Sequence, residues 1–461
     1  MGNVVLFGCG AYVEKFISIL NYIQIKVIAI TDNEKNKIGE SIGGIPVIAP
    51  RDVCFLDCTI VISCPYITEI TEQLDRMGIK SRVKGLRELI LESCCDYKPI
   101  LNEKRTIGID LLSKARWGGA ETWSYQIAQA LNDGECVLAL ASSNIILPLD
   151  LSVQIIRFCK EDLINDMIQI LKKHLPLVYI NNFSGNVHSA VLILKTLFPD
   201  DVQIIDIVHN DFKTTYGRHD LFRDFTDVFI CVSSKIKKTM VDEYLLPAEK
   251  VLYAGQPISF DSSYSKKEKK QTEYIRIGYA SRLEKDQKRA NLLVTFINAL
   301  ENTNVNYILD VAGDGECFDE LFNYIEDNCL SSKVRLLGYV DGENMKQFWK
   351  EQDIYISFSA FEGCSLSMLE AMSYGCVPVV TDVSGVKDHI LSGYNGYICD
   401  VNNMETFAQV IEELFLDRQS MIEKGKRCQD TVLKKCGIEQ YINILKGVFS
   451  DFDKYQHYNT V

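Results

Sequence analysis

Short apolar runs alternate with stretches of helical periodicity along nearly the whole 461-residue chain, and this alternation admits few folds. Runs such as Val4-Val5-Leu6-Phe7 and Val377-Pro378-Val379-Val380-Thr381 are too short for a core helix and apolar at consecutive positions. That is the pattern of a strand covered on both faces. Strand, helix and strand in succession close a parallel sheet through crossovers that pack helices on its two sides. The expected class is therefore α/β, built of parallel sheets.

Two polar breaks divide the pattern. Residues 96–105 contain Pro99, and residues 261–273 carry charge without apolar periodicity, as a solvated linker does. They leave pieces at 1–98, 104–261 and 274–435, followed by a final helix over 437–450 that is expected to pack back on the middle piece. With 47% hydrophobic and 24% charged residues, each piece reads as folded. A net charge of -13 argues against nucleic acid as a partner, because phosphate-binding surfaces concentrate Lys and Arg. No apolar run approaches the ~20 residues that span a bilayer, and the best, Ala190 to Phe198, is interrupted by Lys195. Peripheral membrane contact and association in a complex stay open, as does the oligomeric state. The 16 cysteines follow no regular framework and lack the paired spacing of a zinc site. No metal is expected, and the thiols read as reduced in a cytoplasmic protein, the inner membrane face included.

In the first piece, Gly8-Cys9-Gly10 separates a strand from a helix near 12–22, and a second strand, Val27 to Thr31, ends at Asp32. Glycines for the turn, a helix N-terminus for phosphate and an acid for ribose hydroxyls make a dinucleotide-binding unit. Gly8, Gly10 and Asp32 are thus candidates for a nucleotide or NAD-like ligand. Val13 stands in place of the third glycine, and the plain alternative is a tight strand-to-helix turn. The stretch Ile38 to Val47 resembles small Rossmann-like domains of sugar-modifying proteins, whose partners are nucleotides or nucleotide-sugars.

The clearest chemistry lies in residues 353–382. A buried strand, Asp353 to Ser359, leads through Phe361-Glu362-Gly363-Cys364 into helical spacing from Ser365 to Tyr374, with Gly375 placed as its C-cap. The helix begins at the C-terminal end of a parallel strand, where open α/β sheets bind ligands. Glu362 precedes it, and Glu370 falls among Leu369, Ala371 and Met372. A carboxylate in such surroundings needs a hydrogen-bonding partner, and a sugar or ribose diol supplies two donors. The free N–H groups at 365–367 would face a diphosphate. Two exposed glutamates on an ordinary helix are the alternative.

Residues Phe361 to Val380 resemble the Glu-x7-Glu segment of retaining GT-B glycosyltransferases of family 4, departing from it at Cys364, Ser365 and, further on, Asp388. The resemblance implies two Rossmann-like domains facing a cleft, here preceded by a third, small one. It gives Glu362 to the transferred sugar and Glu370 to the ribose, with Gly363, Cys364, Ser365 and Leu366 around the donor. Ile277 to Lys288 is similar to the family's Gly-Arg-Leu…Lys segment, which implies that Arg282 and Lys288 grip the diphosphate. Val311 to Gly315 resembles its Gly-x-Gly strand end, with Gly313 as a backbone wall. Gly118 and Gly119 match a Gly-Gly segment beside the donor phosphates, and His209 a strand-end histidine near the sugar. The implied reaction moves a hexosyl unit from a nucleotide-sugar, a UDP-sugar first of all, to a hydroxyl of a glycan, lipid-linked or protein acceptor. The configuration is retained, and no cofactor or metal is required. A nucleotide-sugar epimerase and a non-catalytic partner subunit stay open as rivals.

Overall fold

A computed structural model of the chain describes residues 3–93, 101–111, 119–142, 153–158, 164–182, 185–259, 273–340 and 342–459. Gly118 and nearly all of the 261–273 linker lie outside the described residues. Among the described residues three separate sheets account for the strands. The first contains β1 (Val4–Phe7), β2 (Val27–Thr31), β3 (Ser41–Ile42), β4 (Ile45–Ile48) and β5 (Thr59–Ile62), in the order β3-β4-β2-β1-β5. Its strands pair in parallel except for the β3–β4 hairpin. Gly43 and Gly44 turn that hairpin, both at positive φ (57° and 79°), where a side chain would be strained.

The second sheet contains β6 (Thr106–Leu111), β7 (Cys136–Ser142), β8 (Gln154–Phe158), β9 (Leu177–Asn181), β10 (Val202–Val208), β11 (Val228–Cys231) and β12 (Val251–Tyr253). Their order is β12-β11-β10-β9-β6-β7-β8. The third contains β13 (Ile275–Ala280), β14 (Tyr307–Ala312), β15 (Val334–Gly338), β16 (Ile354–Ser357), β17 (Val377–Thr381) and β18 (Tyr397–Cys399), in the order β15-β14-β13-β16-β17-β18. All pairings in these two sheets are parallel. In each the chain starts in the middle and reverses direction of growth once, which opens a crevice at the C-terminal ends of β6/β9 and of β13/β16.

Burial follows from this topology. β6, β9, β10 and β17 are buried along their whole length, as strands covered on both faces must be. The last helix, Ile438–Asn459, returns to the second sheet: Tyr441, Leu445, Val448 and Phe449 join Trp123, Ile127 and Val208 in one apolar cluster. These are the two facing Rossmann-like units of a GT-B architecture, preceded by a third. Among the described residues no helix is long and apolar enough to cross a membrane.

Candidate functional site

β16 ends in a loop that runs through Ser359, Phe361, Glu362 and Gly363 into helix Leu366–Ser373. Ser365 caps this helix, its hydroxyl accepting from Met368 N at 3.3 Å. Glu362 Oε1 accepts from Ser359 Oγ at 2.7 Å and from Lys288 Nζ. The side chains of Lys288 and Glu362 are only 17% and 9% exposed. Thr381 at the end of β17 donates to the Ser359 carbonyl at 2.8 Å, so the neighbouring strand holds the same loop.

The loop after β13 is sewn to the loop after β16. Arg282 donates to Glu284 Oε2 at 2.6 Å and to Gln287 Oε1 at 2.9 Å. Gln287 Nε2 in turn donates to the Phe361 carbonyl at 3.2 Å, and its own carbonyl accepts from Ala360 N at 2.7 Å. Gly313, at φ 152°, lies against the same turn: a Cβ there would stand 1.9 Å from the Ser281 carbonyl oxygen. It is a backbone wall because only glycine fits that approach.

The second sheet's lobe touches this loop directly. A Cβ on Gly363 would stand 1.7 Å from the carbonyl oxygen of His209, which follows β10. Asp211 N donates to the Glu362 carbonyl at 3.2 Å, and Phe212 stacks on Phe361 with centroids 4.8 Å apart. Gly119 opens helix Gly119–Leu131, and a Cβ on it would lie 3.2 Å from Leu366 Cδ1. Farther out, the Ser233 and Ser384 hydroxyls share a hydrogen bond of 2.6 Å, and Asp388 accepts from Ser234 N at 2.8 Å and from its hydroxyl. The His209 ring packs edge-on against Trp123, centroids 5.3 Å apart. Burial, with help from the charges of His219 and Arg218, pushes its proton affinity down to about 3. The ring is therefore neutral near pH 7, a hydrogen-bonding surface and not an acid.

Of the four charged side chains singled out in the sequence, Lys288 and Glu362 meet directly. Arg282 reaches the same loop only through Gln287, and its side chain is 63% exposed. Glu370 stands apart in the second turn of the helix, where burial pushes its carboxyl up to about 7 against an opposing hydrogen bond from Trp349. Tyr355 lies within the field of both carboxylates. Its hydroxyl bonds to Ser365 Oγ at 3.2 Å and is raised to about 12, by burial first and then by the charges of both Glu362 and Glu370.

In the first unit Asp32 Oδ2 accepts from Cys9 N at 2.7 Å and from Cys9 Sγ at 2.9 Å, while Oδ1 accepts from Glu34 N at 2.9 Å. Burial works to raise this carboxyl, but those bonds outweigh it and hold it below its ordinary value. Gly8, at φ 115°, would bring a Cβ to 2.5 Å from Cys64 Cβ, whereas Gly10 has open space beside it. Gly8 and Asp32 thus both take part in the turn, while a side chain at Gly10 would meet nothing within 4 Å.

Sequence reasoning missed Ser359 and Gln287. Ser359 stands three residues before Glu362, a spacing that suits a local hydroxyl-to-carboxylate bond, so a signal existed. Gln287 had none, since its partner Phe361 is 74 residues away.

Residues 261–430 match the family model described as Glycosyl transferases group 1, and residues 1–83 match the model C2185-like, N-terminal. A stretch of 113 residues, 24% of the chain, is 36% identical to poly(glycerol-phosphate) alpha-glucosyltransferase of Bacillus subtilis (strain 168), covering 16% of that protein. Another of 181 residues, 39% of the chain, is 27% identical to poly(ribitol-phosphate) alpha-N-acetylglucosaminyltransferase of Staphylococcus aureus (strain COL), covering 36% of it. The chain thus spans well under two thirds of either relative. Among solved structures, Anabaena Alr3699/HepE in complex with UDP and glucose shares the fold at a TM-score of 0.63 and 16% identity, over 75% of this chain and 100% of that one.

Proposed function

We propose that this chain is a glycosyltransferase of the group 1 type that moves a hexosyl unit from a UDP-sugar to a hydroxyl of a glycan or other polymeric acceptor, with retention of configuration. The observation that carries the reading is the Lys288–Glu362 pair, set in the crevice between β13 and β16 and closed over by the lobe that carries His209. In this reading the donor lies against residues 274–435 and the acceptor against 104–261.

Departure of a nucleoside diphosphate leaves negative charge on its oxygens, and fixed donors placed in advance stabilise that charge best in a site that excludes water. Lys288 and Arg282 supply cations, and the first turn of helix Leu366–Ser373 supplies free N–H groups and the positive end of its dipole. Gly363, Cys364, Ser365 and Leu366 bring backbone close to the phosphates. Glu362, held by Ser359 and Lys288, faces the sugar with the neutral His209. Glu370 accepts from the ribose hydroxyls. Gly119 and Gly313 line the passage with backbone. UDP bound to a structural neighbour and the naming of the relatives as glucosyl- and N-acetylglucosaminyltransferases support a UDP-sugar donor.

The test is direct. The purified chain is incubated with UDP-, GDP- and dTDP-sugars and followed by thermal unfolding, then by UDP release with and without a polyol-phosphate or glycan acceptor. A UDP-sugar should raise the melting temperature, and release should depend on acceptor. No shift with any nucleotide sugar overturns the reading.

A further inference from the structure

The N-terminal unit lies outside the residues given to that chemistry, yet it is bonded into the middle lobe. Phe16, Ile19 and Leu20 of helix Val13–Tyr22 share one buried apolar cluster with Val187, Val191 and Leu194 of helix Gly185–Leu197 and with Phe222. In this seam Lys15 Nζ lies 2.9 Å from His188 Nδ1. An ammonium only donates, so Nδ1 accepts and the ring proton sits on Nε2. The buried His188 ring stacks on Tyr179, centroids 6.2 Å apart and planes 20° apart.

From Tyr179 the chain of contacts runs towards the cleft. The Tyr179 hydroxyl donates to Asp110 Oδ2, which also accepts from Asn182 N at 3.4 Å. Asn182 Nδ2 donates to the Ala120 carbonyl at 3.2 Å and to Ser124 Oγ. Ala120 and Ser124 form the first turns of helix Gly119–Leu131, whose first residue packs on Leu366 of the donor-side helix. Asp110, Tyr179 and Asn182 are all fully buried. A carboxylate so placed is costly without donors and a counter-charge. Burial pushes the Lys15 ammonium down to about 8, and of the charges acting on it that of Asp110 opposes this most.

The geometry points to Lys15 as a positioning residue: through His188, Tyr179, Asp110 and Asn182 the N-terminal domain braces the start of helix Gly119–Leu131 and the glycine turn it carries against the donor helix. This rests on the reading of Gly119 as part of the donor site. The domain acts on the reaction by holding that turn, whether or not it binds a ligand of its own.

Hydrogen–deuterium exchange on the full chain tests the brace. Lys15→Met and Tyr179→Phe are compared with wild type, and Lys15→Arg keeps the charge. Amides of residues 119–131 should exchange about fivefold faster in the first two, the factor expected from losing one hydrogen bond. Residues 275–312 should keep their rates, and Lys15→Arg should restore much of the protection. With a UDP-sugar, the donor KM should rise more than kcat falls. Tyr179→Phe keeps the ring and guards against a Lys15 variant that fails to fold. Unchanged exchange at 119–131 in Tyr179→Phe overturns the brace, as does a change confined to 13–22 and 185–197 in Lys15→Met. Should the wild type bind no nucleotide sugar, the proposed function fails while the exchange still decides the brace.

Discussion

Lys288, on the loop after β13, places its ammonium on the carboxylate of Glu362, on the loop after β16, and the pair is largely closed off from water. Their positions lie 74 residues apart in sequence. What joins them is topology, since β13 and β16 are neighbours in the sheet at the point where strand order reverses. The pair serves two ends at once. It compensates a buried carboxylate, and it holds a cation where little water screens it.

Breaking the pair from one side should therefore be worse for stability than removing it from both. Lys288→Met leaves Glu362 uncompensated and should cost about 3–5 kcal/mol in urea unfolding. Lys288→Met combined with Glu362→Gln should recover most of that loss. Transfer should not recover: each single variant should lose roughly 100- to 1,000-fold in kcat, and the double variant no less. Recovery of activity in the double variant would mean that the pair is structural only.

Gly363 and Gly10 make a matched comparison. A methyl on Gly363 meets the His209 carbonyl, whereas one on Gly10 meets nothing within 4 Å. Gly363→Ala should push the two lobes apart around Glu362. A displacement near 1 Å at the reacting centre should cost roughly 100-fold in kcat/KM, with a stability loss of about 1–3 kcal/mol from overpacking. Gly10→Ala should leave both within error. Thermal unfolding and transfer kinetics on the two variants decide it.

Asp388 accepts from both the backbone N–H and the hydroxyl of Ser234 across the cleft. These bonds form between lobes, so their loss bears on closure more than on the folding of either lobe. Asp388→Ala should raise the donor KM by about tenfold, the factor that corresponds to roughly 1.4 kcal/mol taken from the closed state. The melting temperature of the free protein should move little. An unchanged KM would show that closure does not depend on this latch.

The pattern of short apolar runs carried the architecture because a strand buried on both faces has no polar positions to spare, as β17 illustrates with five buried residues in a row. Glu362 and Lys288 were legible from the motifs around them, and the fold brings them together. Arg282 was legible as a residue but not in its placement: Glu284 and Gln287, two and five positions on, hold it at the rim. Asp32 shows the opposite limit. An acid after a second strand suits a ribose, but a nearby N–H and thiol from Cys9 suit it equally, and sequence spacing does not separate the two. The brace from Lys15 to Asn182 left no trace in the sequence, because three of its four steps join residues 69 or more positions apart and none matches a motif.

Glu370 should contribute a pH dependence of its own. Burial raises its carboxyl to about 7 from an ordinary 4.5, so the folded protein binds more protons than the unfolded chain between those values. Stability should accordingly fall as pH rises from about 4.5 through 7, and Glu370→Gln should remove that slope. Donor binding should respond in the opposite sense. On the proposed reading the ionised carboxylate accepts from ribose hydroxyls, while the protonated form offers a donor where an acceptor is needed. The UDP-sugar KM should thus be flat above pH 7 and rise below it, approaching about tenfold per pH unit. In Glu370→Gln it should be high and independent of pH. Initial rates from pH 5.5 to 8.5, with urea unfolding at the same points, check both arms, and a flat wild-type KM across the range would remove Glu370 from the ribose.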